Sequence, residues 1–155
     1  MNNINAIWHK PINLFDGSKE NLIFIIKEDL PDLPGCYVFF NTHGNSHSIL
    51  YIGQANKLGI RVNQQFTTNT RLMLSIRKSK SGTKRLVYCT IKFKPGQKKK
   101  VVLDLMERAL IKHAFTAGHK LLNIQGVKIP YDRISFVGNW TTQKLFGREI
   151  LNQSR

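Results

Sequence analysis

The sequence is poor in acidic residues. It has 9 Asp and Glu against 24 Lys and Arg, so its 155 residues carry a formal net charge of +15. A folded domain this basic is typical of proteins that bind a polyanion. A membrane surface is the competing partner, but an interfacial helix would gather its lysines on one face, opposite large apolar residues. Here the basic residues are spread over several predicted elements, which favours nucleic acid.

Cysteines and long apolar runs are also scarce. Cys36 and Cys89 lie among apolar residues, and the absence of paired Cys-x-x-Cys units argues against a zinc site. No apolar run approaches about 18 residues, and the start of the chain lacks the apolar centre of a signal peptide. We therefore expect both cysteines in the core, no membrane partner and a cytoplasmic location. The length and the 41% hydrophobic content predict one domain, 1–155, with its own core.

The clearest structural signal is a β-hairpin. Two short apolar runs, 36–40 and 49–53, flank a polar segment around Gly44. A helix is predicted next, over 58–66. Strict alternation over 84–94 predicts a third strand.

The other segments give weaker signals. Segment 18–29 fits a helix or a buried strand, and 134–137 fits a short strand or an apolar loop. Further helices are predicted over 71–78, 101–117 and 143–152. Residues 1–15 show no clear periodicity, so we expect an arm that packs on the domain or on a second subunit.

Two tyrosines and an arginine mark the candidate site. Tyr37 and Tyr51 lie on the two strands of the predicted hairpin, and Arg61 lies in the helix that follows. Together they could surround a phosphate. Each tyrosine alone is explained more simply by packing, because tyrosine suits a half-buried strand.

The residues around these three carry a family resemblance. Gly35-Cys36-Tyr37, Tyr51-Ile52-Gly53 and Arg61 together resemble the signature of the GIY-YIG nuclease superfamily, with cysteine in place of the middle isoleucine. The resemblance extends over about 34–123. It implies an α+β fold with a three-stranded antiparallel sheet flanked by helices. The arm 1–33 and the extension 124–155 lie outside this core and are expected to carry target choice or oligomerisation.

The resemblance also implies a set of catalytic residues: Tyr37, Tyr51, Arg61, Glu107 and Asn123. Glu107 would bind Mg²⁺ or Mn²⁺, for which a carboxylate oxygen is a suitable ligand. Arg61 would clamp the phosphate. In the family the first tyrosine is the usual candidate base, which points to Tyr37, and the second helps to orient it. The simpler explanation of Glu107 is a surface residue paired with Arg108 or Lys112.

Two positions depart from the family pattern. Gln65 stands where many members have a histidine or tyrosine, four residues after the arginine. Gln54 directly follows the second motif, and neither glutamine can act as a base. An auxiliary for proton transfer would therefore have to come from elsewhere, such as Lys57 or a histidine.

A basic segment without acids follows the motif. Its residues, together with Lys57, are expected to contact the DNA backbone: Arg77, Lys78, Lys84, Arg85, Lys92, Lys94, Lys98, Lys99 and Lys100. Such contacts position DNA without reading its sequence.

The function implied is a metal-dependent DNA endonuclease. Restriction, phage or mobile-element, defence and structure-specific repair roles all suit a small nuclease of this kind. Cutting both strands would need two copies, which makes a homodimer a further expectation. A non-catalytic nucleic-acid-binding module on the same fold is the alternative from another class, and RNA is an alternative substrate.

Overall fold

A computed structural model describes residues 3–123 and 133–151 of the chain. In these ranges the strands are β1 (Ile4–Trp8), β2 (Ile12–Asn13), β3 (Phe15–Asp16), β4 (Phe24–Ile25), β5 (Gly35–His43), β6 (Ser46–Ala55), β7 (Thr83–Lys92), β8 (Arg133–Val137) and β9 (Glu149–Leu151). The helices are α1 (Leu58–Thr68), α2 (Thr70–Ser79), α3 (Lys99–Thr116) and α4 (Trp140–Phe146). Within the same ranges, none of these helices combines the length and the apolar content needed to cross a membrane.

Within the described ranges the main sheet is mixed and has seven strands. Its order is β6-β5-β7-β1-β8-β9, with the short β2 also paired to β7. The strands β6, β5, β7 and β1 run antiparallel to their neighbours, whereas β1 and β8 are parallel. The prediction of a three-stranded antiparallel sheet is therefore wrong. The strands β5, β6 and β7 form only part of a larger α+β sheet.

The strands that enlarge the sheet come from the two ends of the chain, and one of them, β8, is the strand that was one of two alternatives for 134–137. Ile4, Ala6 and Trp8 of β1 are buried, while Asn5 and Ile7 face outward. The large Ile7 points outward and the small Ala6 points inward. The pattern of hydrophobic residues along β1 therefore does not match the pattern of buried residues. The predicted arm thus contributes a strand inside the sheet, and the predicted C-terminal extension contributes β8 and β9.

Two helix predictions also need correction. Segment 18–29 forms a short 3₁₀ turn (Ser18–Glu20) and then β4, which pairs with β3. The turn ends at Asn21, whose φ of 56° is left-handed and cannot continue a helix. The helix predicted over 143–152 is α4, which ends at Gly147 (φ 75°) before β9, and Asn152 lies outside the described residues. Residues 124–132 of the predicted extension lie outside them as well.

The central predictions are confirmed. The hairpin, the third strand and the helices over 58–66, 71–78 and 101–117 are all present, although β7 ends at Lys92 and α3 begins at Lys99 and ends at Thr116. Cys36 and Cys89 lie opposite each other on β5 and β7, fully buried, with free thiols. They are core residues, as predicted.

The sheet carries a separate core on each face. Alternation along β5 turns Tyr37 and Phe39 towards α1 and α2, and Cys36 and Val38 towards α3. In β6 the same alternation places Tyr51 in the core under α1 and α2, and Ile52 in the core under α3. Both faces of the hairpin are therefore covered, and β6 is left as an edge strand of the sheet.

Candidate functional site

Tyr37 and Tyr51 meet on the face of the sheet that α1 covers. Their ring centroids are 6.3 Å apart. In register Tyr37 faces Gly53, where an added Cβ would lie 2.4 Å from the tyrosine Cζ. A real Cβ cannot approach so closely, so the glycine is what lets the Tyr37 ring lie across β6.

Gln65 holds the Tyr37 hydroxyl. Its Nε2 donates a hydrogen bond to the Tyr37 oxygen at 2.6 Å, and its Oε1 accepts one from Asn69 Nδ2 at 2.8 Å. Gln65 is only 2% exposed. Gln65, one of the two departures from the family pattern, therefore has a defined partner that the sequence alone did not reveal. The spacing of Arg61, Gln65 and Asn69 at four-residue intervals along one helical face was the available signal.

Burial sets the protonation of the Tyr37 hydroxyl. It raises the pKa of Tyr37 to about 12, against the lowering effects of the Gln65 hydrogen bond and of Arg61. The phenol is therefore protonated at neutral pH. Since its oxygen accepts from Gln65, its own proton is free to point towards another acceptor.

Glu107 lies on α3, beside the opposite face of the hairpin. Burial raises the pKa of its carboxyl group, and a hydrogen bond from Gln54 opposes that rise. Gln54 Nε2 also donates to Asp104 Oδ1, one turn earlier on α3. In the described part of the chain neither Arg108 nor Lys112 forms a salt bridge with Glu107, although the Arg108 charge contributes to lowering its pKa. The carboxylate is partly buried beside an amide, and is not one half of a surface ion pair.

The Tyr37 ring and the Glu107 carboxylate lie on opposite faces of the sheet, both near the end of β6. Gly53 supports Tyr37 on one face, and the next residue, Gln54, contacts the carboxylates on the other. Arg61 is exposed on α1, and its charge opposes the effect of burial on the pKa of both Tyr37 and Glu107. A phenol on one face of the sheet and a carboxylate on the other thus both lie within the electrostatic range of one guanidinium.

Asn123 caps the backbone of the edge strand β6. Its Oδ1 accepts from Ile52 N at 3.2 Å and its Nδ2 donates to Ile52 O at 2.7 Å. Nearby, Leu122 N donates to Leu50 O at 2.7 Å. Asn123 therefore satisfies the outward backbone groups of β6 in the way a neighbouring strand would. This arrangement gives it a positioning role beside Tyr51 and Gly53.

Few side chains at the candidate site could bind a metal ion. Across 3–123 and 133–151, no group of three or more His, Cys, Asp or Glu side chains is placed to hold an ion. Glu107 and Asp104 are the two carboxylates at the site, and Asp104 already pairs with Lys100 at 3.7 Å. Mg²⁺ is commonly held by one or two carboxylates, with water and substrate oxygens completing its coordination. Two carboxylates could therefore supply the protein's share of the ligands to Mg²⁺ or Mn²⁺, and the other ligands would have to be water or substrate oxygens.

The predicted DNA-contacting residues form two groups rather than one surface. Since Gly35 pairs with Thr90, the end of β7 and the start of α3 lie at the same end of the sheet as Tyr37. That group consists of Lys92, Lys94, Lys98, Lys99 and Lys100, and Lys57 at the start of α1 lies near it. Arg77, Lys78, Lys84 and Arg85 lie towards the other end.

Two of this second group are not freely exposed. The Lys84 ammonium is buried and donates to Asn41 Oδ1 at 2.7 Å. Arg85 lies over the Phe40 ring, 5.4 Å from its centroid, and its Nε donates to Asn13. In this structure the Lys84 and Arg85 side chains make contacts that stabilise the fold.

The close approach of Gly53 and Tyr37 leads to a stability prediction. Gly53→Ala should lower the free energy of unfolding by about 1–3 kcal/mol, because the new methyl group displaces a buried ring. Urea unfolding would measure the loss. In a Tyr37→Leu background the same change should cost much less. An equal cost in both backgrounds would mean that the β6 backbone, and not the ring, requires glycine.

No known protein family, curated protein or solved structure matches this chain.

Proposed function

We propose that this protein is a metal-dependent endonuclease that hydrolyses phosphodiester bonds of DNA. What supports this is the position of Tyr37 and Glu107 on either side of the Gly53-Gln54 end of β6, with Arg61 of α1 close enough to influence the pKa of both. A binding surface alone does not require a partly buried carboxylate within the electrostatic range of an exposed arginine. The net charge of +15 supports a polyanionic substrate.

Each residue has a role that its surroundings permit. Arg61, exposed at the site, would donate to the non-bridging phosphate oxygens. Glu107, with Asp104 behind it, would hold Mg²⁺ or Mn²⁺, which when bound would polarise the phosphate and stabilise the leaving oxygen. Tyr37, held by Gln65, would first have to give up its own proton; as the phenolate it would then accept the proton of the attacking water, and Tyr51 would orient the tyrosine or the water.

The resemblance to GIY-YIG nucleases supports the proposal through these residues. The sheet is larger than the family resemblance implied, so the fold adds no support of its own. A homodimer that cuts both strands, and action in the cytoplasm, are further parts of the proposal. Restriction, mobile-element, defence and repair roles are equally compatible with it.

Cleavage of supercoiled plasmid in Mg²⁺, Mn²⁺ or EDTA tests the proposal directly. We expect nicked or linear product with either metal and none in EDTA. DNA binding measured alongside separates the alternatives. If the protein binds DNA but cuts neither plasmid, single-stranded DNA nor RNA with either metal, it is a non-catalytic nucleic-acid-binding module.

A further inference from the structure

We propose that a basic cleft far from the candidate site binds a second phosphate group of the DNA backbone. The identity of the polyanion rests on the proposed function. Four cationic side chains line this distal cleft: Arg77, Lys78, Lys80 and Lys84. It encloses about 740 Å³ between the end of α2 and the start of β7, and none of the described residues that line it is acidic.

The floor of the distal cleft is a buried hydrogen-bond network centred on Lys84 and Asn41. Lys84 is 7% exposed and Asn41 2% exposed. The Lys84 ammonium donates to Asn41 Oδ1 at 2.7 Å and also to the Lys80 carbonyl. Both acceptors are uncharged, so this buried cation has no carboxylate partner among its hydrogen bonds. A buried charge without a counter-charge is costly, and an anion in the cleft would supply one.

The rim is held firmly to the sheet. Asn41 Nδ2 donates to Ser81 O at 2.9 Å, and Lys80 Nζ donates to Ser48 Oγ at 3.2 Å. Gly82 has a φ of 139°, and a Cβ there would lie 2.5 Å from the Thr42 carbonyl oxygen. The loop that carries Lys80 is therefore fixed close to β5 before any ligand binds. Such preorganisation lowers the entropic cost of binding.

The cleft lies on the same side of the sheet as Tyr37. Lys84 lies two residues before Leu86 on β7 and so faces the same side of the sheet, and Leu86 belongs to the core under α1 and α2. In register Lys84 pairs with Asn41, four residues along β5 from Tyr37, or about 14 Å. B-DNA advances 3.4 Å per base pair, so the second phosphate would lie about four base pairs or more from the one at Arg61.

Binding without cleavage tests this cleft. Anisotropy of a labelled 20-base-pair duplex in EDTA would be measured over a range of salt concentrations. The cleft variant is Arg77→Ala/Lys80→Ala, in which both altered side chains are exposed. The control, Lys10→Ala/Lys144→Ala, removes the same charge from exposed residues that do not line the cleft. Because both side chains would contact the same phosphate, their loss should flatten the slope of log K against log salt by about 0.9, or about 8-fold in affinity at 0.1 M.

Every outcome bears on the proposal. A flatter slope for the cleft variant alone supports it. Equal losses in both variants, or none in either, overturn it, because net charge would then account for binding without a site. Because no metal is present, a protein that binds but never cuts still reports on the cleft. Failure of the endonuclease proposal would appear separately, in the plasmid assay.

Discussion

A Glu107→Gln protein should bind DNA like the wild type but lose metal-dependent cleavage by about a thousandfold. The substitution removes the charge that would hold the metal and leaves the shape of the side chain almost unchanged, so the transition state loses its main electrostatic stabilisation. Because burial already disfavours the charged form of Glu107, the neutral amide should not destabilise the fold. Plasmid cleavage, with duplex binding recorded in EDTA, measures both effects.

Two further variants make this test specific. Glu20→Gln alters an exposed carboxylate in the 3₁₀ turn and should change nothing. Asp104→Asn should reduce cleavage by about 10- to 100-fold, since its partners Gln54 and Lys100 suggest a supporting role. If Asp104→Asn abolished cleavage while Glu107→Gln kept it, the roles of the two carboxylates would have to be exchanged.

Tyr37→Phe should lower the cleavage rate by about 10²- to 10⁴-fold, the usual contribution of a general base. The change removes only the hydroxyl, but it also leaves the buried Gln65 amide without its acceptor, at a cost of about 1–3 kcal/mol. Rates should therefore be compared well below the unfolding temperature of the variant. Full cleavage by Tyr37→Phe would exclude the tyrosine as the base.

The pKa of Tyr37 adds a pH signature. With the pKa raised to about 12 by burial, the phenolate is a very small fraction at neutral pH and grows tenfold with each pH unit. The wild-type rate should rise accordingly between about pH 6 and pH 9, and the residual Tyr37→Phe rate should not follow it. Tyr88→Phe is the matched control, because Tyr88 lies opposite Tyr37 on β7 and stacks on His9.

The hairpin and its three flanking helices could be predicted because their signals are local. The apolar runs of β5 and β6 are bounded by turn residues, and α1 and α3 have clear helical spacing. Strand β1 could not be predicted, because an outward Ile7 and an inward Ala6 cancel the alternation on which the prediction depends. Strand β9 is three residues long, too short to show any period.

The candidate site shows the same division. Tyr37, Tyr51 and Arg61 could be identified because they lie within one short stretch with a specific pattern. The role of Gln65 could not, since an exposed glutamine and one that holds a buried phenol look alike in sequence. Asn123 was predicted as catalytic, but its bonds to Ile52 depend on strand β6 being at an edge of the sheet.

By itself the sequence determined the basic character of the protein and the hairpin, and it indicated the candidate site residues, because composition and short-range pattern need no knowledge of packing. Tertiary structure alone decided the seven-stranded sheet, the meeting of Gln54 with Asp104 and the division of the basic residues into two groups. Each of these depends on which strands become neighbours. That choice is made by burial of both sheet faces at once, an energy shared among residues far apart in the chain.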